Sequence, residues 1–236
     1  MSRSNNTDKP NPADRFYQWD GAKGGFSYWD KDKEERIPIG LPFRFLVLDC
    51  LATIKGWSDP DQSGYWANEI RERQFSDGIF IVRTKKGQKA QGHYKDVKAQ
   101  CPGSKFCQSV YIADKRDDGF HIANVQLMGA ALSSWIEFRK KHKDVYAGAI
   151  TVLSMSEGKK GAVTYQMPVF GFAEVSPESN AIAMDLDKDL QDYLDGYMER
   201  RAEPQHAEPV TNDYEPPMEE HLSPEQVTDE EDPLPF

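Results

Sequence analysis

Three aromatic residues, Trp57, Tyr65 and Trp66, fall within ten positions, with Lys55, Arg71 and Arg73 close by. The following stretch carries Arg83, Lys85, Lys86, Lys89, Tyr94, Lys95 and Lys98 against three acids, Glu72, Asp77 and Asp96. Flat rings stack on unpaired bases and cations neutralise phosphates, so this mixture suits a single-stranded nucleic acid. The plain alternative for any one of these residues is a core aromatic or a solvated lysine. The cluster as a whole favours a groove. Stacking there contributes ~1–3 kcal/mol per base, and phosphate contacts make affinity steeply salt-dependent.

A second group closes the chain: Asp229, Glu230, Glu231, Asp232, Pro233, Leu234, Pro235 and Phe236. Four consecutive acids precede an apolar hook that ends on an aromatic ring. Such a tip can dock on a partner: the ring fits an apolar pocket, and the terminal carboxylate fits an arginine at its rim. The competing reading is a solubilising acidic tail.

The 236 residues hold 29 Lys or Arg and 39 Asp or Glu, a formal charge of -10. An acidic sum argues against a nucleic-acid partner. The charge is unevenly divided, however. Residues 202–236 hold eleven acids and no Lys or Arg, whereas residues 1–184 hold 26 bases and 22 acids, a net of +4. A mildly basic body is joined to an acid-only tail.

Other chemistries find less support. Cys101, Cys107, His93 and His121 lack the paired spacing of a zinc site. Asp185, Asp187 and Asp189 mimic the start of a calcium loop, but Leu190 stands where that loop needs glycine and Gly196 where it needs Glu. Gly103-Ser104-Lys105 lacks the upstream glycine of a phosphate loop. No nucleophile–base grouping stands out. No enzyme activity, metal or cofactor is expected. No apolar run reaches the ~20 residues of a membrane span, and the first forty residues lack the apolar core of an export signal. Three cysteines cannot all pair within one chain, which suits a reducing, cytoplasmic setting.

The elements that must position these groups read mainly as strands. Residues 1–13 are polar and read as a disordered start. Residues 14–40 hold Phe16, Tyr17, Trp19, Phe26, Tyr28 and Trp29 around Gly21, Gly24 and Gly25, a hairpin or aromatic flap. Residues 43–57 alternate as one long strand, with Leu46, Leu48, Cys50, Ala52 and Ile54 on one face and Phe43, Phe45, Val47 and Leu51 on the other. A turn over 58–64 follows, then an ambiguous 65–75, a strand over 78–85 and a basic loop over 88–104. Strands over 105–113 and 119–127 form a hairpin. Residues 128–143 read as a helix with an apolar stripe. Strands over 147–155 and 162–175 flank a turn at 156–161. A short acidic helix over 184–201 leads into a disordered tail, 202–236. Strands, one helix, then two closing strands is the order of an OB-fold-like antiparallel barrel, placed at 14–183. An SH3-like or other small β-barrel fits the same pattern.

The tip Asp-Glu-Glu-Asp-Pro-Leu-Pro-Phe resembles the C-terminal tip of bacterial single-stranded-DNA-binding proteins, which ends in acids followed by Ile-Pro-Phe. Leu234 and Pro233 depart from that pattern. The body resembles single-stranded-DNA-binding proteins of tailed phages over Gly25–Asp30, Leu41–Trp57 and Tyr65–Ile70, about a quarter of the chain. The resemblance implies an OB fold and sequence-tolerant binding of single-stranded DNA in phage replication, recombination or repair, in the cytoplasm of an infected bacterium. It also implies recruitment of a polymerase, primase or helicase through the tail. Two rivals stay open. One is a non-catalytic adaptor whose tail occupies a host replication factor's docking pocket; the other is a binder of RNA or duplex.

Overall fold

The computed structural model describes residues 10–71 and 78–202, with side chains as far as Glu199. Among the described residues, twelve strands and three helices make one mixed sheet with helices against it. The main path runs β3 (Glu35–Pro38), β2 (Phe26–Asp30), β1 (Phe16–Trp19), β10 (Gly119–Leu127), β9 (Ser104–Arg116), β4 (Phe43–Ser58), β5 (Ser63–Ala67), β7 (Phe80–Thr84), β8 (Gly87–Gly92). The 16-residue β4 is the spine. One edge pairs with β9 along most of its length. Its other edge is shared by β11 (Ala149–Lys160) at Phe43–Leu46, β6 (Ile70–Arg71) at Leu51–Ala52 and β5 at Lys55–Ser58. β11 pairs onward with β12 (Val163–Ala173).

The sheet is open; its strands do not close into a barrel. β12 nevertheless reaches the β1–β2 turn. The Gln166 amide N–H donates to the Gly21 carbonyl at 2.7 Å, and Trp19 Nε1 donates to the Gln166 carbonyl at 2.9 Å. Two hydrogen bonds span the gap in place of a ladder. The aromatic segment therefore has a mechanical role. Its Tyr17 packs edge-on against Phe43 of β4 and its Trp19 edge-on against Phe26, and its turn holds the β11–β12 ribbon.

The long strand forms where expected, but its faces do not alternate as expected. The β4–β9 register shifts between Val47 and Asp49. One extra residue in a strand reverses which face each later side chain takes. Phe43, Phe45 and Val47 therefore share one core with Cys50, Ala52 and Ile54. Leu46, Leu48 and Leu51 face a second core on the outer side of the sheet. That second core is covered by α3 (Pro177–Ala202), whose Leu190 and Leu194 are fully buried. Each such leucine stabilises by about 1.5–3 kcal/mol.

Four segments differ from the sequence reading. The helix read as 184–201 starts at Pro177, because Ser176 caps it by accepting from the Ser179 N–H at 3.2 Å and proline suits the first helical position. The basic loop read over 88–104 is largely ordered as β8 and α1 (Tyr94–Gln100). Each buries a single residue, Ala90 and Val97, which leaves almost no periodic signal. The turn read at 156–161 is strand up to Lys160, closed by Gly161 and Ala162. There the Tyr165 ring lies over Gly158, where any Cβ would collide with it. At the N-terminus, Ala13 is buried and Asn11 Nδ2 donates to the Tyr111 hydroxyl at 3.1 Å, so packing begins before residue 14. The expected β9–β10 hairpin and α2 (Gly129–Lys141) are present. In α2, Trp135 is fully buried and packs on Phe138 and Phe170. No helix among the described residues is long and apolar enough to cross a membrane.

Candidate nucleic-acid interface

Register places four of the chemically interesting residues in one line. Lys55 on β4 stands opposite Lys105 on β9 and opposite Trp66 on β5. Trp66 stands opposite Arg83 on β7, and Arg83 opposite Gln88 on β8. Residues directly opposed in antiparallel strands project to the same side, with Cβ atoms ~4.5–5.5 Å apart. Lys105, Lys55, Trp66, Arg83 and Gln88 thus form one row across five strands. The side is the outer one, because Ile54, Tyr65, Val82 and Phe106, which flank the row along the strands, belong to the inner core. Lys105 and Gln88 are exposed; Lys55, Trp66 and Arg83 are half-buried. Trp57, also half-buried, lies two residues beyond Lys55 on the same strand.

The local backbone is shaped for this row. Gly56 has φ 146° and Gly103 has φ 84°. A Cβ on Gly56 would run into the Gly103 carbonyl, and one on Gly103 would meet the Trp57 carbonyl. Only glycine admits this approach of β4 to the turn before β9. That approach sets where Lys105 starts.

A second cationic group sits at the end of the row. Asp61, nearly buried, accepts from the Thr84 hydroxyl at 2.6 Å, and its carboxylate lies 2.6 Å from Lys89 Nζ and 3.5 Å from Lys86 Nζ. The Lys89 contact, with the Thr84 hydroxyl next in weight, holds the Asp61 carboxyl at about 2. Lys86 Nζ also donates to the Pro60 carbonyl at 3.0 Å. One carboxylate therefore gathers two lysines. Lys85 follows β7 directly and is exposed, with its N–H on the Ser63 hydroxyl at 3.1 Å.

Comparison of the chain with family models, curated proteins and solved structures gives no match.

Several sequence candidates stand elsewhere. Tyr65 is buried in the inner core. Tyr94 packs edge-on against Phe106, and its hydroxyl accepts the Phe106 N–H at 3.1 Å, so it braces α1. Lys95 is exposed on α1 beside it, and Lys98 Nζ donates to the Ser104 carbonyl at 2.7 Å. Arg71 contacts Asp49 at 3.0 Å, Gln191 at 3.0 Å and Asp195 at 2.8 Å, which ties it to α3. Arg73 and the tip, Asp229 to Phe236, lie outside the described residues. Two members of the row, Lys105 and Gln88, are absent from the sequence candidates; Gln88 joins it opposite Arg83, and Lys105, near the start of β9, joins it opposite Lys55. Only its place opposite Lys55 marks it.

The outer face continues from this row to α3. Cys107, Ser109 and Tyr111 lie successively along β9 on the row's side, and Tyr111 belongs to the core beneath α3. Between them sits Glu69, whose carboxylate accepts from Ser109 Oγ at 2.5 Å and the Tyr111 hydroxyl at 2.9 Å. Burial and then the Glu69 charge push the Tyr111 phenol well above its ordinary value. Burial raises the Cys107 thiol to about 12, so it stays protonated at neutral pH. The Tyr197 hydroxyl of α3 reaches the Glu69 backbone.

Proposed function

We propose that this protein binds single-stranded DNA without sequence preference and recruits replication proteins through its acidic tail. The observation that carries the proposal is the row Lys105, Lys55, Trp66 and Arg83. A ring between cations on an outward sheet face is the arrangement that base stacking with phosphate neutralisation needs.

The strand pairings support an OB-like reading of the body. A long strand, β4, pairs with both β9 and β11. A helix, α2, separates β10 from β11. β10 pairs in parallel with β1.

In this reading the tail has two roles. Its tip binds a polymerase, primase or helicase through Phe236. Its eleven carboxylates also compete with DNA for the cationic row, because they form a short polyanion. DNA displaces the tail and makes the tip available. Removing residues 229–236 should leave oligo-dT affinity unchanged or tighter and abolish stimulation of the partner. Loss of oligo-dT binding on truncation would overturn the competition. Failure of the full chain to bind oligo-dT, with the tail still captured by a replication factor, would favour the adaptor.

A further inference from the structure

The chain between Trp66 and Arg71 is held in an unusual way. β5 ends at Ala67 and β6 begins at Ile70, and the pairings with β4 skip Ala67, Asn68 and Glu69. Side chains replace the missing ladder. Thr53 Oγ1 donates to the Ala67 carbonyl at 2.9 Å. Asn68 bridges to β7: its Nδ2 donates to the Ile79 carbonyl at 2.9 Å, and its Oδ1 accepts the Ile81 N–H at 2.6 Å. The Glu69 carboxylate is fixed by Ser109 and Tyr111 on β9.

Within the sheet, Ile70 and Arg71 pair with β4 and Arg71 donates to Asp49 at 3.0 Å; further contacts come from α3. The Glu69 N–H donates to the Tyr197 hydroxyl at 3.0 Å. Arg71 donates to Asp195 at 2.8 Å and to Gln191 at 3.0 Å, and Gln191 Nε2 donates to Asp49 at 3.2 Å. Apolar burial fixes α3 to the sheet, since an ion pair as exposed as Arg71–Asp195 adds little to stability. What these polar contacts do is direct the 68–71 segment.

We infer that Tyr197 and Asp195 are positioning residues for Trp66, so that the helix leading into the acidic tail also sets the aim of the stacking ring. The inference deepens the single-strand reading and, for its DNA consequence, rests on it. A ring that is already held loses less freedom when it stacks on a base. The coupling is reciprocal: a strand that fixes Trp66 also fixes the last turns of α3, from which the tail departs.

The test uses the full chain with Tyr197→Phe, which removes one hydroxyl, and separately Asp195→Asn. Amide hydrogen exchange is followed along the chain and oligo-dT affinity is measured over a range of salt. The expected result is at least ~10-fold faster exchange confined to residues 66–71, because local opening there loses an anchor. Oligo-dT affinity falls about 3- to 10-fold with an unchanged salt slope, because no phosphate-facing cation is altered. Unchanged exchange over 66–71 overturns the inference. Faster exchange throughout the body also overturns it, since the effect is then general destabilisation. Local loosening with unaltered affinity for oligo-dT refutes the link to Trp66. Local loosening in a protein whose wild type ignores oligo-dT supports the positioning and instead refutes the single-strand reading.

Discussion

Lys55 and Trp66 are register partners across the β4–β5 ladder, on the outer face of the sheet. Eleven residues apart in sequence, they become neighbours because the Asp59–Gln62 turn folds β5 back on β4. Trp66 is in turn opposite Arg83. Under the proposed single-strand reading, a base stacked on this ring would have a cation on each side for its flanking phosphates.

Trp66→Ala should therefore weaken oligo-dT binding by about 1–3 kcal/mol, roughly 5- to 150-fold. Its thermal midpoint should stay close to wild type, since the ring is half-buried on the outer face rather than in the core. Fluorescence titration and thermal melting check the two halves. A core role would appear as a large fall in melting temperature with little specific loss of binding.

Lys105 makes a different prediction. Lys105→Ala should lower affinity at low salt and reduce the slope of log K against log salt by roughly 0.7, the value for one lost single-strand phosphate contact. Lys95→Ala, on α1 and off the row, should leave the slope unchanged. Equal slopes for Lys105→Ala and wild type would remove Lys105 from the interface.

These two residues show what the sequence makes legible. The aromatic–cation cluster is visible because types and density are local properties. So are the β4 strand, the β9–β10 hairpin and the α2 stripe. Register is not local. Lys105 lies fifty residues from Lys55 and joins it only through the β4–β9 ladder. The extra residue at Val47–Asp49 reverses the later face of β4, and no alternation of residue types announces it. Tyr94 and Arg71 have the composition of binding residues. One braces Phe106 and the other holds α3, and both facts depend on partners distant in sequence.

Asp61 provides a pH test. Lys89 and Thr84 hold its carboxyl at about 2, below its ordinary 3.8. A carboxyl depressed in the folded state adds stability that is present above its unfolded value and lost as pH falls through the folded one. Wild-type stability should fall from about pH 4 toward pH 2 more steeply than that of Asp61→Asn. Thermal melting of both across that window measures the difference. Parallel curves would show that the lysine contacts do not stabilise the fold.

Titration of the full chain with oligo-dT, followed by tryptophan fluorescence, tests the central claim most directly. The account predicts quenching at micromolar protein or below, with affinity falling steeply as salt rises. Absence of quenching at micromolar protein in low salt would contradict it.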